Sequence, residues 1–150
     1  MNTLYKRILI FISLILFSAA SHAAKDEIYT SFLGKAGAGG YDVVAYFTDS
    51  KPVKGNKKLK TSHKGAKWYF STAENLELFK AEPDKYLPQY GGYCAWAVSE
   101  GYLYAGDPLY WSVHNDKLYL NYDADVQEKW VADKEKFIVE SDMNWPGILN

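Results

Sequence analysis

The sequence predicts an α+β fold in one domain, with small antiparallel β-hairpins packed against helices. Three observations predict it. Two pairs of short runs rich in aromatic or β-branched residues flank tight turns: 59–63 with 66–70 around Lys64-Gly65, and 110–114 with 117–122 around Asn115-Asp116. Apolar residues recur near helical spacing in 72–82, 124–132 and 135–143. All five Trp and twelve of the thirteen Tyr lie beyond residue 23, where a single cysteine allows no internal disulfide, so burial of aromatic surface must hold one core.

In chain order, residues 1–23 read as a secretory signal. Lys6 and Arg7 form a positive start, the apolar run from Ile8 to Phe17 is too short for a stable span, and Ser21-His22-Ala23 is a small-x-small cleavage site. The mature chain is expected to begin at Ala24, in the periplasm or outside the cell, with no stable membrane span after cleavage. Residues 24–40 read as a Gly-rich lead-in acting as a linker, in which 28–33 is a short edge strand or a helical turn. The domain proper spans 41–147. Its first element is 41–48, where Asp42 caps a helical turn or holds a loop. Lys54, Lys57, Lys58 and Lys60 form a solvated charged face.

The stretch 68–96 organises the rest. Trp68-Tyr69-Phe70 ends the first hairpin, and Ser71-Thr72-Ala73-Glu74 reads as a capping box, with Ser71 as N-cap. Glu82-Pro83 ends that helix, because the residue before proline is pushed out of the α region. Gly91-Gly92 turns the chain into Cys94, and periodicity leaves the apolar run 95–98 open between strand and helix. In the second hairpin Leu118, Leu120 and Tyr122 share one face, with Lys117, Tyr119 and Asn121 on the other. Asp123 caps the next helix, and Trp145 is expected to clip the tail onto the core.

Without residues 1–23 the chain carries 15 lysines against 18 carboxylates, a net charge of −3, and no arginine. That balance argues against nucleic acid as a partner, since phosphate recognition favours arginine forks and a basic surface.

One resemblance enters through Asp42-Val43-Val44-Ala45-Tyr46-Phe47, Gly65-Ala66-Lys67-Trp68-Tyr69-Phe70-Ser71-Thr72-Ala73-Glu74-Asn75, Phe79, Pro83 and Tyr86. This frame resembles the YHS domain, related to the TRASH-type metal-binding fold. Gly40-Tyr41-Asp42, Gln89-Tyr90-Gly91-Gly92-Tyr93-Cys94-Ala95-Trp96, Gly106-Asp107-Pro108 and Asn144-Trp145-Pro146 are similar to a secreted subgroup of that family. The resemblance implies handling of a transition metal. The family's three cysteines fall here on Ala45, Ser71 and Asn75, none of which is a thiolate.

Three function classes remain open on the residues. In the first, a transition metal binds through Cys94, His63 and His114. Copper is the metal this set favours, since thiol and thioether are soft donors and Met143 completes a blue-copper set by type, though not by spacing. In the second, Tyr41, Asp42, Tyr93, Trp96 and Asp107 line an aromatic groove for a small ligand or an envelope protein. The third is an enzyme with Cys94 as nucleophile. The apolar neighbours Tyr93, Ala95 and Trp96 oppose it by raising a thiol pKa, and no catalytic residue is assigned.

Overall fold

The computed structural model describes residues 23–31 and 34–150. The apolar run, most of the expected cleavage site, and Phe32-Leu33 lie outside the described residues. Among the described residues, helices α1 (Ala45–Thr48), α2 (Ala73–Ala81), α3 (Pro83–Tyr86), α4 (Ala95–Ser99), α5 (Ala124–Ala132) and α6 (Lys134–Asn144) surround two antiparallel hairpins. Strands β1 (Asn56–His63) and β2 (Ala66–Phe70) make the first hairpin, and β3 (Asp107–His114) and β4 (Lys117–Asn121) the second. The α+β expectation holds. The open run 95–98 is helical.

Strand β4 is the spine. Its pleat sends alternate side chains to opposite faces, and both faces are covered. Leu118 and Leu120 enter one core with Val43, Val44, Tyr46, Trp68, Phe70 and Phe79. Tyr119 enters a second core with Tyr90, Tyr93, Val98 and Trp130. The first core belongs to the β1–β2 hairpin and helices α1 and α2. The second is closed by α4, α5 and α6. Side chains lock that second layer: Ser141 Oγ donates to the Ala95 carbonyl at 3.0 Å, and Asn144 Nδ2 donates to the Val98 carbonyl at 2.8 Å.

Asp123 caps α5 as expected, accepting from the Val126 amide at 2.8 Å. Trp145 does clip the tail, with its ring 6.0 Å from those of both Tyr90 and Tyr93. Lys54, Lys57, Lys58 and Lys60 are all exposed.

The lead-in is packed rather than a free linker. Ile28, Ala36 and Ala38 are buried. The Lys67 amide donates to the Lys35 carbonyl at 2.7 Å and the Gly37 amide donates to the Lys67 carbonyl at 2.9 Å, so the stretch lies along β2. Thr30 pairs with Gly37 in an isolated bridge, not in a strand. The Tyr29 amide donates to the Gly91 carbonyl at 2.9 Å. Gly91 is required at that contact: its φ is +62°, and a Cβ there would lie 1.7 Å from the Glu27 carbonyl oxygen.

Candidate functional site

Two polar or ligand-sized features stand out, one in each core. In the first, Asp42 is fully buried. Its Oδ1 accepts from the amides of Val44 (3.0 Å) and Ala45 (3.3 Å), holding the start of α1. Its Oδ2 accepts from the Ser71 amide (2.8 Å), Ser71 Oγ (2.6 Å) and Asn75 Nδ2 (2.8 Å). Five donors surround this carboxylate and, among the described residues, no ion pair reaches it; the hydrogen bonds are what make its burial tolerable.

The arrangement corrects the capping box. Ser71 does not cap α2. Thr72 does, its hydroxyl accepting from the Asn75 amide at 3.1 Å, while the Ser71 hydroxyl is turned to Asp42. Ser71→Ala should therefore cost about 2 kcal/mol, the range for a hydrogen bond to a charged acceptor, against about 1 kcal/mol for Thr72→Ala, the loss of an N-cap. Urea unfolding of the two variants measures the order, which the capping-box assignment reverses.

The three positions that the resemblance aligns with cysteines, Ala45, Ser71 and Asn75, all hydrogen-bond to this one carboxylate.

The second feature is a pocket of about 230 Å³ lined by Cys94, Trp96, Ala97, Tyr104, Tyr122 and Val126, almost wholly apolar. It sits where α4 leaves β4's outer edge, at the Cys94–Leu120 bridge. Cys94 borders it with no exposed surface of its own. The Cys94 thiol lies 3.8 Å from Asn121 Oδ1, which also accepts from the Trp96 amide at 3.3 Å. Burial pushes the thiol pKa up, against a smaller opposing pull from the backbone amides of Ala97, Tyr122 and Trp96. A buried thiol of this kind is a poor nucleophile. Labelling of Cys94 by iodoacetamide in the folded protein is expected to be slow at pH 7 and to speed up only above the ordinary thiol range near pH 8.5. Rapid labelling at neutral pH, followed by intact-mass spectrometry, would restore the nucleophile reading.

The candidate metal ligands do not come together. His114 Nε2 meets Glu135 Oε1 at 2.6 Å on the surface. His63 lies 3.7 Å from Asp84, with its ring edge-on to Phe79. Cys94 is held by Asn121. Among the described residues no group of three or more His, Cys, Asp or Glu side chains is arranged to hold a metal ion. Among the described residues Cys94, His63 and His114 therefore form no shared donor set for a transition metal.

The aromatic groove is rearranged as well. Asp42 is sealed in its own network. Tyr41 carries Lys54 Nζ 4.8 Å above its ring. Tyr93 donates to the Asp26 carbonyl at 2.9 Å and packs between Tyr29 and Trp145. Of the five, Trp96 and Asp107 line described cavities. Trp96 lines the apolar pocket, and Asp107 lines an adjoining cleft of about 420 Å³. Tyr122 lines both. Sequence reasoning placed Tyr122 on one face of β4 with Leu118 and Leu120, but the strand ends at Asn121, and Tyr122 is 54% exposed with its ring 6.2 Å from that of Tyr104. Its place directly before the Asp123 cap was the available signal.

No curated protein and no solved structure matches the chain. A family model does match, over residues 44–90. The match takes in α1, the β1–β2 hairpin, α2 and α3, and stops short of Cys94 and the apolar pocket. The model that matches these residues is that of the YHS domain.

Proposed function

We propose that this is an exported binding protein that holds a small, mainly apolar ligand in the pocket bounded by Trp96, Tyr104, Tyr122 and Val126. One observation carries the reading: the pocket is apolar, walled by aromatic rings, and flanked by tyrosines that a soluble surface has no packing reason to expose. Export rests on the N-terminal charge, apolar run and cleavage site. An N-terminus at Ala24, found by mass spectrometry of protein from its own cells, would support export, and an intact Met1 in a membrane fraction would sink it.

Metal handling, which the family resemblance implies and for which the soft donors favour copper, finds a single thiol at this pocket and, among the described residues, no convergent group of three His, Cys, Asp or Glu donors. The apolar lining supports a non-metal ligand instead. A catalytic role for Cys94 is disfavoured by its raised pKa and by its hydrogen-bond partner, which among the described residues is Asn121 rather than a histidine.

The test is a nuclear magnetic resonance titration with benzyl alcohol, a small neutral aromatic probe. The expected result is saturable shifts at the Trp96 indole, Ala97 and Val126, abolished by Trp96→Ala. Shifts spread evenly over the surface, or unaffected by that substitution, would reject the pocket.

A further inference from the structure

We infer that the cleft beside the apolar pocket binds an organic cation, an alkyl- or quaternary ammonium group. This goes beyond the pocket reading and shares only Tyr122 with it. The cleft is lined by Tyr29, Tyr110, Tyr122 and Pro108, together with the acidic residues Asp107 and Asp123. No lysine lines it. Each carboxylate spends one oxygen on its own backbone: Asp107 Oδ1 accepts from the Leu109 amide at 2.8 Å, and Asp123 Oδ1 accepts from the Val126 amide at 2.8 Å. Among the described residues neither has a cationic partner within ion-pair distance.

Two unneutralised carboxylates sharing a cleft with three tyrosine rings make a complementary surface for a cation that is also apolar. The rings attract the charge through their quadrupoles and accept the alkyl groups by contact. The carboxylates supply the long-range attraction, in a chain whose mature net charge is already −3. A bare metal ion is a worse occupant. It wants several convergent oxygen ligands, and no set of three acidic or imidazole groups is assembled here among the described residues. A phosphate or other anion would be repelled. A neutral sugar could stack on the same rings, but it would leave both charges uncompensated.

Calorimetry with tetramethylammonium, benzyltrimethylammonium, benzyl alcohol and glucose tests this. The substitutions are chosen to keep the fold, since asparagine serves at N-caps and Asx turns as well as aspartate does. The wild-type protein is expected to bind benzyltrimethylammonium about tenfold more tightly than benzyl alcohol at low ionic strength, with the preference shrinking as salt rises. The Asp107→Asn/Asp123→Asn pair should lose that preference while keeping its affinity for benzyl alcohol. Tyr122→Leu should weaken both. Trp96→Ala should remove benzyl alcohol binding and leave tetramethylammonium binding unchanged, which separates failure of the apolar pocket from failure of the cation cleft. The inference is overturned if the double asparagine variant keeps the cation preference, if benzyl alcohol or glucose binds as well as benzyltrimethylammonium, or if neither ammonium ion binds at millimolar concentration.

Discussion

Asp42→Ala is expected to be among the most damaging single substitutions in the chain, costing roughly 4 kcal/mol or more of folding stability. The carboxylate is fully buried and accepts five hydrogen bonds from Val44, Ala45, Ser71 and Asn75. Removing it leaves several donors without an acceptor in a place water cannot easily enter, and each buried orphan costs about 1–3 kcal/mol. Asp42→Asn should cost less, because its remaining carbonyl oxygen can still serve some of these donors, although its amide would face donors at Ser71. Urea unfolding followed by far-UV circular dichroism measures both. If Asp42→Ala loses no more than a surface substitution would, about 0.5 kcal/mol, the network does not hold the first core together.

Trp68→Ala should cost roughly 3–5 kcal/mol, the range for truncating a large buried aromatic. Trp68 is fully buried, packs 5.7 Å from the Phe79 ring, and donates its indole N–H to the His63 carbonyl at 3.1 Å. A sharper result concerns its partner. Gly37 sits against the Trp68 ring so closely that an added Cβ would lie 2.5 Å from it. Gly37→Ala alone should therefore cost about 1–3 kcal/mol by overpacking. In the Trp68→Ala background the same change should cost almost nothing, because the ring it strikes is gone. A double-mutant cycle in urea reads that coupling. Additive costs would mean that the lead-in is not seated on the core.

That coupling shows why the lead-in was hard to read. Gly34, Gly37, Gly39 and Gly40 look like a flexible passage in sequence. At Gly37 the glycine is there because a tryptophan ring distant in sequence needs the space, and no local pattern signals it. The helix caps tell a similar story. Helix α2 was legible from its apolar spacing and the proline after it, but its cap was misplaced by one residue. Ser71 and Thr72 can both cap, and the choice is made by Asp42, 29 positions upstream. By contrast, the hairpins, the Asp123 cap and the opposed faces of Leu118 and Tyr119 depend on neighbours in sequence, and they were read correctly.

The candidate site was legible only in part. Trp96 and Asp107 were singled out for being aromatic or acidic beside glycine turns, and both line cavities. Tyr41, Asp42 and Tyr93 were singled out on the same grounds and are committed elsewhere, to Lys54, to Ser71 and Asn75, and to Asp26. Residue type identifies what could line a groove, whereas long-range contacts decide which side chains remain free to do so. Tyr122 and Val126 complete the pocket from the end of β4 and the first turn of α5, a junction that local spacing does not mark as a site.

The most direct test of the pocket is to ask what the protein carries from its own compartment. Native mass spectrometry of protein purified from its own cells, paired with elemental analysis, would answer it. The account predicts a bound organic molecule released on denaturation, lost in Trp96→Ala and retained in His63→Ala and His114→Ala. Stoichiometric copper or zinc, lost in those histidine variants or in Cys94→Ser, with no organic molecule released, would contradict it.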